Sequence, residues 1–212
     1  NSHAAASTLA NEFNSTLLLE VALDLANSTS NDDRFDRLLT SIRKAIACDA
    51  VALLGLQQNV LKPLAIQGLS ADTLGRRFVP AEHPRLQALC QSRLPLRFPA
   101  DCDLPDPYDG LLLSRHGDVP VHACMGLPLY SDEQLIGLVT IDSLQAGAFD
   151  GIADRTLELI AALSAASLKT AFELTKWQHN AYQARQLVQE LTQEALLRDG
   201  GEIIGQSPAM LA

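Results

Sequence analysis

Neither proline nor glycine occurs between Ile152 and Asp199. These two residues interrupt helices most effectively, so the segment is free to form one continuous helix. Its apolar residues recur at helical spacing: Leu157, Ile160, Leu163 (or Ser164), Leu168, Ala171 and Leu174, then Ala184, Leu187, Val188, Leu191 and Ala195. Such a helix outruns any single domain that 212 residues can build. Residues 157–174 are expected to pack on a sheet and on the first helix of the chain. The distal half, ending near Arg198, needs a partner helix or water along its apolar stripe.

The preceding sequence supplies the sheet. Residues 9–26 carry Phe13, Leu17, Val21 and Leu25 at helical spacing. A second helical pattern begins near Asp33, with Asn31 or Asp32 as its expected N-cap. "AVALLGL" (50–56) and "VLKPLAI" (60–66) read as strands joined by a turn at "QQN". "LSADTLGRRF" and "HPRLQALCQSR" read as short helices, with Pro84 suited to a first helical turn. "LPLRFP" (94–99) is a third strand. "VHACMGLPLY" and "LIGLVTIDSL" form a hairpin across "SDEQ". The order predicts an α+β fold: an antiparallel sheet with helices on one face, followed by a long C-terminal linker helix. Loops are expected to close over the other face.

Composition excludes several functions. Hydrophobic residues make up 47% and charged residues 19%, as in a folded domain. Asp and Glu outnumber Lys and Arg by 25 to 16, for a net charge of −9. No basic patch reads as a nucleic-acid footprint, so direct DNA contact by this segment is not expected. No apolar run reaches the roughly 18 residues of a membrane span. Cys48, Cys90, Cys102 and Cys124 include no C-x-x-C pair, and free thiols in a reducing cytoplasm are expected. Residues 1–7, "NSHAAAS", read as a polar leader or tag remnant.

The chemistry concentrates in one loop and one hairpin. Pro105 and Pro107 stiffen the chain on both sides of Asp106, and Asp109 follows three residues later. A stiff loop of this kind can aim both carboxylates inward. The plainer alternative is an Asx-turn with both acids in water, where Asp101 and Asp103 are also expected. On the hairpin, His122 and Cys124 share a face. A turn centred on Glu133 sets Asp142 opposite Cys124, whereas a one-residue slip sends it to the other face. That arrangement offers imidazole, thiol and carboxylate to a borderline divalent metal. Cys124 can equally be an ordinary core thiol, and Asp142 a residue at which the strand ends. Arg85 can neutralise the acids or lie on a helix surface. No phosphate-binding lysine loop, Ser-His-Asp order or H-E-x-x-H zinc motif is present, and no enzymatic activity is expected of this segment.

Taken in order, "LGRRF", "HPRL", "RFPAD", "LPDPYDG", "VHACMGLPLY" and "LIGLVTID" resemble the amino-terminal GAF domain of the NorR family of nitric-oxide-responsive, enhancer-binding transcription activators. "IIGQSPAM" resembles the opening of the AAA+ domain of such activators. The resemblance runs from about Phe35 to Phe149, and the domain organisation expected around it is a GAF domain over residues 8–174, a helical linker over 175–199 and the start of an AAA+ domain over 200–212. It implies one non-haem ferrous iron, readily lost on aerobic purification, that binds nitric oxide. The ligands it implies are Asp106, Asp109, Cys124 and Asp142, with His122 beside them. Arg85 belongs to the same set, but a guanidinium has no lone pair to give a metal, so it is expected to hydrogen-bond the aspartates instead. The implied partners are nitric oxide, the chain's own AAA+ domain and a second copy joined through the long helix. A GAF domain for a small organic ligand, or a dimerisation module alone, are the alternatives.

Overall fold

The computed structural model describes residues 16, 19, 20, 22, 23, 27–113 and 123–210, the last ten as backbone only. The expected helix over 9–26, apart from isolated positions, lies outside the described residues, and so does His122. Five strands form one antiparallel sheet in the order β2-β1-β5-β4-β3. They are β1 (Ala50–Gln57), β2 (Val60–Gln67), β3 (Leu96–Phe98), β4 (Ala123–Ser131) and β5 (Gln134–Ser143). The α-helices are α1 (Asn31–Ala45), α2 (Pro84–Gln91) and α3 (Asp154–Met210), with 3₁₀ turns at Ala71–Gly75 and Pro80–Glu82.

The N-cap of α1 is Ser30, one residue before the expected pair. Its hydroxyl accepts the Asp33 amide at 3.1 Å. Asp33 instead takes the guanidinium of Arg37, one turn on, at 3.1 Å. Both hairpins turn on two residues with positive φ, Gln58–Asn59 and Asp132–Glu133. This pair of conformations suits the right-handed twist of the strands.

Alternation divides the sheet into two covered faces. Ala50, Ala52, Leu54, Cys124 and Leu138 share one cluster with Leu86 and Leu89 of α2 and with Tyr108, Leu111 and Leu112 of the following loop. Gly126 exists to admit α2: a Cβ there would lie 2.3 Å from the Leu89 side chain. The opposite face carries Met125, Leu127, Val139 and Ile141, all fully buried. There Leu168 of α3 approaches Gly137, and α1 lies against β1 and β2. Helices therefore lie on both faces; α2 and the loops cover the face expected to be left to loops alone.

The chain divides into two compact units, 1–169 and 170–212. Within the first, α3 buries Leu157, Ile160 and Leu168 as its periodicity predicts. Leu174 departs from that reading, being 39% exposed. The second unit is helical as far as Met210 and passes through Gly200 and Gly201, where the sequence suggested an end. Extending a formed helix costs far less than starting one, so two glycines, at about 1 kcal/mol each, do not stop it. Leu187, Val188 and Leu191 are exposed along it.

Candidate functional site

One row of side chains crosses the inner face of the sheet. Phe98 pairs with Cys124, Cys124 with Asp142, and Asp142 with Ala50. The expected register of Cys124 and Asp142 is observed, for a different reason from the one anticipated. The turn is two residues long, and pairing starts at Ser131↔Gln134. A bulge between Leu129 and Tyr130 on β4 leaves Ile136 unpaired on β5. That extra residue brings Asp142 opposite Cys124. Without it Asp142 would point to the opposite face, the one covered by α1 and α3.

Asp142 does not end the strand. It is 1% exposed, and among the described residues neither carboxylate oxygen has a hydrogen-bond partner. The neighbouring Cys124 thiol acts on its protonation, but a thiol is a weak donor and does little to offset the lost water. Burial, with the nearby Asp106 charge second, pushes the Asp142 carboxyl up to about 7, against a pull downward from Cys124 and Arg85. Burial likewise holds the Cys124 thiol well above its usual value, with the Asp142 carboxylate adding to the effect.

The acidic loop lies over this row and is pinned at two points. Arg85 donates from Nε to the Leu104 carbonyl oxygen at 2.9 Å, and its guanidinium stands 5.7 Å from the centre of the Phe98 ring. The Tyr108 hydroxyl meets Thr140 Oγ1 at 2.8 Å, fully buried, and its ring contacts Phe78 edge-on. Thr140 is two residues before Asp142 on the same face, so the loop is anchored beside the carboxylate. Asp106 forms the Asx-turn of the plainer reading, its Oδ1 accepting the Tyr108 amide at 2.9 Å. It is half-buried and close enough to raise the Asp142 pKa.

Cys124 and Asp142 are thus adjacent, with Asp106 in electrostatic reach. Asp109 is exposed, as are Asp101 and Asp103. Among the described residues no three His, Cys, Asp or Glu side chains gather closely enough to hold a metal ion. Arg85 is buried and faces the site, but bonds a loop carbonyl rather than an aspartate. Its charge reaches Cys124 and Asp142 through space. Two positions escaped the sequence reading: Tyr108 and Thr140. A large aromatic inside an acidic, proline-rich loop was the available signal for the first. All four cysteines are free thiols. Among the described residues no helix is long and apolar enough to cross a membrane.

A five-stranded antiparallel sheet with a capped inner face is the architecture of a GAF domain. The crystal structure of the GAF domain from an Acinetobacter phosphoenolpyruvate-protein phosphotransferase superposes with a TM-score of 0.61 over 77% of this chain and 97% of that one, at 15% identity. Residues 30–168 match the GAF domain family, and the chain belongs to it. It is also similar to curated regulators. "Regulatory protein LuxO" of Vibrio cholerae serotype O1 is 52% identical over 95% of this chain. "Anaerobic nitric oxide reductase transcription regulator NorR" of Aeromonas salmonicida is 48% identical over 91%. The chain spans 38% and 37% of the length of these two relatives.

Proposed function

We propose that this chain is the sensor module of a bacterial transcription activator and binds nitric oxide at one ferrous iron held beside Cys124 and Asp142. The observation that carries the reading is the Asp142 carboxylate, buried with both oxygens unpartnered among the described residues. An isolated buried carboxylate costs several kcal/mol, and such groups are ordinarily paired or bound to a metal. The donors fit: thiolate and carboxylate side by side, with Asp106 above them, suit a borderline divalent ion. The NorR relative adds weight, since its name ties it to nitric oxide reductase regulation. Asp106 would close the site from the loop, with Asp109 and His122 as further donors. Held by these residues, ferrous iron would supply the chemistry that binds nitric oxide. Arg85 and Tyr108 hold the loop in register above the row, and Arg85 eases deprotonation of both Cys124 and Asp142. Downstream, the exposed stripe of α3 pairs with a second copy, and a change at the site relieves repression of an AAA+ ATPase domain.

A second reading, a GAF domain for a small organic ligand or for dimerisation alone, draws on the absence of a gathered metal cluster among the described residues and on the similarity to LuxO. Anaerobic titration of the ferrous-loaded chain with nitric oxide separates the two. The iron reading expects a visible absorption change that saturates at one equivalent per chain. No change with nitric oxide, in protein that remains folded, refutes it.

A further inference from the structure

Beyond the end of β3, Ala123 at the start of β4 is paired on its β5 side alone, and a cavity of about 370 Å³ opens there. Its lining includes Phe98 and Ala100, Ala123 and Cys124 of β4, and Phe149 and Asp150 from the turn after β5. Resting on the nitric oxide reading, we propose that this cavity is the route by which a small uncharged gas reaches Cys124 from solvent, bypassing the acidic loop.

Three observations point to this class of ligand. First, Cys124, the cysteine paired across the hairpin with the buried Asp142, lines the cavity although the residue is only 6% exposed. Second, its walls are more apolar than polar, its charged lining residues are Arg97 and the exposed Asp150, and Arg97 is already engaged. Arg97 donates from Nη2 to Ile152 O at 2.7 Å and from Nε to Phe149 O at 3.2 Å, and its Nη1 lies 3.4 Å from Asp154 Oδ1. A polar organic ligand needs convergent hydrogen-bonding groups, whereas a neutral diatomic needs only space. Third, Arg85 on Leu104 and Tyr108 on Thr140 anchor the acidic loop over the inner face of the sheet, away from the cavity lining. The same Arg97 clamp fixes the turn that forms the cavity wall. A molecule the size of water takes about 30 Å³ of a liquid, so the passage is ample for a diatomic.

The test uses the chain with Cys48, Cys90 and Cys102 replaced by serine, metal-free and at one fixed pH. The rate at which methyl methanethiosulfonate modifies Cys124 is measured. Ala100→Trp and Asp150→Trp each place bulk at the cavity rim, at exposed positions. Each is expected to slow the reaction about ten-fold or more, because buried thiol reactivity follows access. Leu113→Trp, equal bulk at the far end of the acidic loop and 64% exposed, is expected to leave it unchanged. Two plugs are used so that a misfolded one leaves the other to decide. An unchanged rate in a folded plug variant, or equal slowing by Leu113→Trp, overturns the route. The same plugs in ferrous-loaded protein should slow nitric oxide association. Gated thiol access without any nitric oxide signal leaves the passage standing and removes the gas as its ligand. A nitric oxide signal with unaltered rates keeps the iron and removes the passage.

Discussion

Replacing Asp142 by asparagine tests the electrostatic heart of the site without any metal. In the folded chain its carboxyl is raised from 3.8 to about 7. The group is fully buried, so the shift converts with little screening: at about 1.4 kcal/mol per unit, ionising it in the native state costs on the order of 4 kcal/mol. Because the folded value lies above the unfolded one, the native state holds the proton more tightly between these values. Stability must therefore fall as pH rises through that window and level off above about 7. Asparagine does not titrate. It leaves an unsatisfied amide costing about 1–3 kcal/mol at every pH. Between pH 5 and 8 the wild type should lose about 2–3 kcal/mol relative to Asp142→Asn. Urea titrations followed by far-UV circular dichroism, with chelator present, measure this difference, and subtraction removes groups common to both proteins. Parallel pH profiles for the two proteins would refute the reasoning.

Tyr108→Phe deletes the buried hydroxyl bond to Thr140 and should cost about 1–2 kcal/mol in urea midpoint analysis; an unchanged midpoint would mean that the loop is not anchored there. Arg85→Ala removes the Leu104 bond and the contact with Phe98, and should lower both thermal stability and the iron retained after anaerobic desalting. Tightened retention would show that its positive charge opposes the metal more than its loop contact helps. Each Leu or Val of the distal helix buried against a partner contributes roughly 1.5–3 kcal/mol, so Leu191→Asp should shift the chain from dimer to monomer in sedimentation at micromolar concentration. A wild type that already sediments as a monomer removes the pairing.

The elements were legible where periodicity was strong. β1, β2 and the α3 face through Leu168 follow from spacing alone, because burial on one side imprints itself on the pattern. The pairing of Cys124 with Asp142 was legible only as a condition. The bulge that leaves Ile136 unpaired carries no marker in an apolar run, and a two-residue turn by itself predicts the opposite face. Ser30 was passed over as a cap because its neighbours Asn31 and Asp32 are chemically equivalent candidates. Arg85 was assigned to the right place with the wrong partner: charge complementarity favours aspartates, but the loop offers the Leu104 carbonyl at closer quarters. Tyr108 needed three dimensions, since its partner Thr140 lies 32 residues away.

The central claim is that Cys124 and Asp142 together hold one ferrous iron. Anaerobic loading, desalting and elemental analysis of the wild type, Cys124→Ala and Asp142→Asn, with circular dichroism to confirm folding, test it most directly. The account predicts one iron per wild-type chain and near-complete loss in both folded variants. Iron retained equally by all three, or absent from a folded wild type, would contradict it.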